Sequence, residues 1–136
     1  PSDQGMGITI ATYYDGVGDL PAAKTPEGVG GASGGLVYSL ALVDAAEQGD
    51  LSGGRTVAAT GALLPSGEVQ PVLGVAEKIR AAAAAGASVV FVPLSSDVGT
   101  PPAGVEIVEV ARADEAVAFL CRTGGAGRVC DRLLAD

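Results

Sequence analysis

Apolar residues along this chain recur in two rhythms, one with the period of a helix and one with the period of a strand. Residues 7–14 (Gly-Ile-Thr-Ile-Ala-Thr-Tyr-Tyr) are β-rich and roughly alternating, and they predict a first strand after a frayed start. Residues 15–27 then break into glycine, proline and charge, which reads as a long irregular connection. It leads into Gly28-Val29-Gly30-Gly31-Ala32-Ser33-Gly34-Gly35, after which Leu36, Val37, Leu40 and Val43, with Ala41 and Ala45, fall at helical spacing. That spacing predicts a helix over 34–48, stopped by Gly49. A strand over 55–64 with a glycine interruption comes next. Pro65-Ser66-Gly67 then marks a turn, from which residues 68–72 can return antiparallel as a hairpin. A second helix starts near Gly74 and runs through the alanine tract to Gly86. Residues 88–92 are continuously apolar, as in a strand buried on both faces, whereas residues 105–110 alternate as in a half-exposed one. Asp114 can cap a helix reaching about Cys121, and residues 128–134 predict a last short helix. A helix feeding a doubly buried strand places the chain in the α/β (α+β) class, and with no repeat or internal boundary residues 1–136 read as one domain.

Composition narrows what such a domain can do. Only 4% of the 136 residues are aromatic and none is Trp, so the core must be built from Ala, Val, Leu and Ile. The net charge of −8 repels phosphate backbones and anionic lipid surfaces, which argues against nucleic-acid binding and against membrane contact by this stretch. No apolar run approaches membrane-spanning length. The chain starts at Pro1 with no visible signal peptide, and it reads as a piece of a longer protein whose targeting segment has been removed. His is absent, which removes the commonest general base and the commonest metal ligand. Cys121 and Cys130 are too few for a zinc site, so no metal or cofactor is expected. The two cysteines flank a glycine-rich segment and suggest a disulfide, hence an oxidising, extracytoplasmic setting, with two reduced buried thiols as the other reading.

The candidate chemistry centres on Ser33. A hydroxyl among glycines at a helix start lies where N–H groups favour developing negative charge, as acyl transfer requires; the same arrangement is also that of a plain helix cap. With no His, a serine nucleophile must use another base. The lysines are Lys24 and Lys78. Lys78 sits in the first turns of the second helix, on the side of Val75 and Leu73-Gly74. It reads either as a solvated lysine paired with Glu77 or another carboxylate, or as a neutral amine able to take the proton from Ser33.

Three blocks in order, Gly31-Ala32-Ser33-Gly34-Gly35-Leu36, Thr60-Gly61, and Gly67-Glu68-Val69-Gln70-Pro71-Val72-Leu73-Gly74-Val75-Ala76-Glu77-Lys78, resemble the proteolytic domain of Lon-type serine peptidases. The likeness continues through Gly86-Ala87-Ser88-Val89-Val90-Phe91-Val92-Pro93. Gly49-Asp50-Leu51-Ser52-Gly53-Gly54-Arg55 is most similar to the bacterial membrane-anchored branch that joins a PDZ domain to a Lon-type domain. The resemblance implies a mixed sheet packed by helices, with ribosomal-S5-domain-2-like topology. It implies ATP-independent cleavage of unfolded protein or peptide by a Ser33–Lys78 dyad, with Thr60 orienting the lysine. The backbone of Gly31, Ala32, Ser33 and Gly34 would supply the oxyanion hole. It further implies a PDZ domain and a membrane anchor elsewhere in the full-length protein, and it leaves a homo-oligomer open.

The chain departs from the family pattern in Ala32-Ser33-Gly34, where Pro-Ser-Ala is usual, and in Leu73, where a glycine is usual. Leu73 would either help to desolvate Lys78 or narrow the substrate cleft. Two other functions stay open on the sequence: a catalytically silent interaction module of Lon-like fold, and a phosphate or nucleotide binder using the glycine-rich loop.

Overall fold

The computed structural model of the chain describes residues 32–46 and 49–135. The strand expected at 7–14, the connection at 15–27, Lys24 and Gly31 lie outside them. A short 3-10 turn, Ala32–Gly34, leads into α1 (Gly35–Ala46), followed by β1 (Val57–Ala59), β2 (Ala62–Leu63), β3 (Val69–Gln70) and α2 (Val75–Ala84). The chain continues through β4 (Val89–Pro93), β5 (Glu106–Val110), α3 (Ala113–Arg122) and α4 (Arg128–Leu134).

The α/β class holds: helices pack a three-stranded parallel sheet of order β1-β4-β5, with Ala59 opposite Phe91 and Phe91 opposite Val108. The antiparallel pairing forms a separate two-stranded sheet, β2 with β3, with Leu63 opposite Val69. The strand expected over 55–64 is therefore two strands. They part at Thr60-Gly61, where Gly61 has φ of 153° and turns the chain out of the parallel ladder.

β4 is the spine. All five of its residues are buried, as the apolar run predicts, and successive side chains serve opposite faces. Val89 and Phe91 join Leu36 and Leu40 of α1 and Val117 and Leu120 of α3; Val90 and Val92 join Val75 and Ile79 of α2. Phe91 meets Phe119 edge to face, with ring centres 5.6 Å apart. α2 is half alanine and buries Val75 and Ile79, four residues apart on one stripe.

The cap of α3 differs from the expectation. Arg112, not Asp114, is the N-cap, and Asp114 lies within the first turn. Glu115 determines this: its carboxylate accepts the N–H groups of Ala111 (2.6 Å) and Arg112 (2.9 Å), so the helix starts earlier than Asp114 would allow. Cys121 and Cys130 form the expected disulfide, joining the end of α3 to α4, with both residues buried. Between α1 and β1, the Asp50 carboxylate organises a tight turn by accepting the Ser52 hydroxyl (2.6 Å) and the Gly54 N–H (2.7 Å). Those bonds, the Ser52 hydroxyl first, hold its pKa below the ordinary carboxylate value.

Candidate active site

Ser33 lies in the 3-10 turn that opens α1, half-buried. Its position is fixed from the link between β1 and β2 by a reciprocal pair of backbone bonds. The Gly61 N–H donates to the Ser33 carbonyl at 3.0 Å, and the Leu36 N–H donates to the Gly61 carbonyl at 3.0 Å. Thr60, 5% exposed, donates its N–H to the Phe91 carbonyl at 3.0 Å. The turn bearing Ser33 is thereby coupled through Thr60-Gly61 to the central strand.

Two glycines make this close seating possible. A side chain on Gly35 would place its Cβ 2.9 Å from the Leu63 backbone nitrogen, so the helix start lies directly against β2. A Cβ on Gly61 would meet Val69 Cγ1 at 2.7 Å and touch Pro93 and Leu36 at ordinary contact distance. Sequence pattern marks Gly61 only as an interruption and as half of a Thr-Gly block; its role as the joint emerges from which backbone groups it meets.

Lys78 is half-buried one turn into α2, with its N–H donating to the Gly74 carbonyl at 3.0 Å. Glu77, a candidate partner for it, has its carboxylate 3.3 Å from Arg80 Nη2 in an exposed ion pair. Leu73 is 91% exposed and so is not packed over the amine, which removes a desolvating role for it in this arrangement.

Topology sets where these residues lie. Ser88 at the start of β4 donates its N–H to the Thr56 carbonyl, so the chain leaves α2 at the edge where β1 begins. At the opposite edge, Gly99, in the loop after β4, lies against Ala76 in the first turn of α2. The opening turns of α1 and α2 therefore sit at the same carboxyl edge of the parallel sheet, one on each face of β4. In parallel α/β sheets this edge is where ligand sites form. The structure joins Ser33 to Thr60-Gly61 by hydrogen bonds and brings Lys78 to that edge on a separate element. Ala32, Ser33 and Gly34 of the expected oxyanion backbone make up the 3-10 turn itself.

Among the described residues, no cluster of three or more metal-ligating side chains occurs. No described helix is long and apolar enough to cross a membrane.

No family model matches the chain. A curated relative, the archaeal Lon protease of Pyrococcus abyssi (strain GE5 / Orsay), is 39% identical to it over 97 residues. That alignment covers 68% of this chain and 10% of the protease, so the chain spans about a tenth of the length of the relative it matches. The likeness is thus to one portion of a Lon protease, and it is the Lon type of protease that the chain resembles.

Proposed function

We propose that this chain is the proteolytic domain of an ATP-independent, Lon-like serine endopeptidase that cuts unfolded protein or peptide. The observation that carries the reading is the reciprocal bonding of Ser33 and Leu36 to Gly61, which holds a single hydroxyl at a helix start beside a buried threonine. The resemblance to part of a Lon protease supports the same reading.

In the proposed mechanism Ser33 Oγ attacks the scissile carbonyl while the Lys78 amine, acting in its neutral form, takes the hydroxyl proton. Backbone N–H groups of the turn containing Ala32, Ser33 and Gly34, with that of Gly31, receive the charge that develops on the carbonyl oxygen; a donor of this kind contributes about 3–4 kcal/mol. Lys78 then returns the proton to the leaving amine, and water hydrolyses the acyl-enzyme by the same steps. Thr60 orients the lysine. The full-length protein in this proposal carries a PDZ domain and a membrane anchor and works outside the cytoplasm, where the Cys121–Cys130 bond persists.

Cleavage of a fluorogenic unfolded protein by wild type, Ser33→Ala and Lys78→Ala tests the dyad. Each variant is expected to lose on the order of 10⁴-fold in kcat/KM, and the double variant no more than either alone, as for residues acting as a unit. Cleavage by Ser33→Ala at the wild-type rate removes the assignment.

A further inference from the structure

The side of the molecule remote from Ser33 carries a brace that the peptidase mechanism does not use. α3 and α4 are joined through Gly124, Gly125 and Gly127, a backbone with little conformational preference of its own, and the Cys121–Cys130 bond closes it at a separation of 9 residues. This closed loop is where the turn between α1 and β1 docks. The Ala126 N–H donates to the Asp50 carbonyl at 2.9 Å, and Arg55 Nη1 donates to Thr123 Oγ1 at 2.8 Å. Backbone meets backbone there: a Cβ on Gly53 would come within 2.8 Å of the Gly124 carbonyl oxygen, and one on Gly49 within 2.7 Å of that of Ala126.

From the turn, two connections lead toward the site. Leu51, buried in the core, donates its N–H to Asp44 Oδ1 at 2.8 Å, which fixes the far end of α1. Arg55 leads directly into β1, whose other end is Thr60-Gly61. The α1–turn–β1 unit thus has Ser33 and Gly61 at one end and the disulfide loop at the other, about 18 Å apart along the helix. An open hollow of about 180 Å³ lies between Val37, Leu40, Leu51, Val57 and Leu120, and among the described residues Arg55 Nη2 is buried with no hydrogen-bond partner. The hydrogen bonds to the loop add registration to the packing of Leu51, and the loop is covalently closed.

We infer that the Cys121–Cys130 disulfide is a redox-responsive brace for the α1–turn–β1 unit, so that its reduction by a dithiol loosens the turn and lowers the reactivity of Ser33. The step is a thiol–disulfide exchange: the S–S bond breaks, Cys121 and Cys130 each become a thiol, and the dithiol gives up two electrons and two protons to close as its own disulfide. Because both sulfurs belong to buried residues, exchange proceeds through local opening of the 122–129 loop. The effect on Ser33 rests on the peptidase reading; the effect on the turn does not.

The test is hydrogen exchange by mass spectrometry on the oxidised and dithiothreitol-treated chain, with α2 as internal reference, alongside labelling of Ser33 by a fluorophosphonate. Reduction is expected to lower Tm by about 10 °C and to speed exchange in residues 40–46 and 49–57 about tenfold, with α2 unchanged. Labelling is expected to slow about threefold or more, as for a misplaced nucleophile. Cys121→Ala combined with Cys130→Ala should reproduce the reduced state and abolish the response to dithiothreitol. Thr123→Val, which leaves the disulfide intact and removes the Arg55 contact together with the hydroxyl's own bond to the Phe119 carbonyl at the end of α3, should move the same segments to a smaller degree. Faster exchange confined to 122–135 overturns the brace, and so does simultaneous loss of protection in α2, since the bond is then a global staple. If the turn loosens as expected but no labelling occurs in either redox state, the brace stands and the peptidase reading fails.

Discussion

The two faces of β4 are built to different standards. On one face Phe91 and Val89 are enclosed by α1, α3, Leu51 and the disulfide, with an aromatic pair at the centre. On the other, Val90 and Val92 are covered by an alanine-rich helix that contributes Val75 and Ile79. The candidate residues divide along the same line. Ser33 belongs to the thick face and is held by a backbone bond to Gly61 between β1 and β2, whereas Lys78 rides on the thin one. A proposed dyad split in this way has its nucleophile beside the larger buried cluster and its base on an element that packs against the smaller one.

The sharpest way to break that contrast is to empty each face in turn. Phe91→Ala removes a fully buried ring from the thick face and is expected to cost about 4 kcal/mol, lowering the midpoint of urea unfolding for the whole molecule. Ile79→Ala, also at a fully buried position, is expected to cost about 3 kcal/mol, and most of that loss should appear as faster hydrogen exchange confined to α2. Uniform loss of protection in Ile79→Ala would mean that the two faces form one cooperative unit and that Lys78 is held as firmly as Ser33.

Gly61→Ala probes the joint where the thick face meets the candidate site. The new methyl would lie 2.7 Å from Val69 Cγ1, at a φ of 153° that side chains rarely adopt, and a cost of about 2 kcal/mol is expected in chemical denaturation. Because Gly61 bonds to both Ser33 and Leu36, labelling of Ser33 should fall by more than the stability loss accounts for once both proteins are assayed well below their unfolding midpoints. A variant that unfolds earlier yet labels at the wild-type rate would show that the Gly61 bonds do not position the serine.

How much of this was legible in the residues depends on the range of the forces involved. The run of apolar positions placed α1, α2 and β4 nearly to the residue, because the helical spacing and the continuous run are both local features of the chain. The hairpin was legible in Pro65-Ser66-Gly67, and the disulfide in two cysteines around a glycine-rich loop. Three features were not. Glu115 reaching back to Ala111 and Arg112 displaced the expected cap at Asp114, a choice between two carboxylates that spacing does not rank. The division into two sheets depends on Gly61 leaving the ladder, and a lone glycine in a strand-like run fits a bulge, a bend or a crossover equally well. The seating of Ser33 against Gly61 is a contact between residues far apart in sequence, which spacing does not give, and the likeness to a family pointed Thr60 at the lysine instead.

The smallest expected effect concerns Leu73, which departs from the family pattern beside the thin-face helix. At 91% exposure its side chain makes little contact, so Leu73→Ser should change stability by less than about 0.5 kcal/mol. The decisive measurement is the rate of Ser33 labelling in this variant. A leucine that stays in solvent does not govern hydration of the amine, and the rate should match that of the wild type. If labelling instead slows, water has reached an amine that the leucine shields when substrate or probe is bound. The residue would then act by folding over α2 during turnover, and the thin face would move as part of its chemistry, consistent with a helix anchored by so few buried side chains.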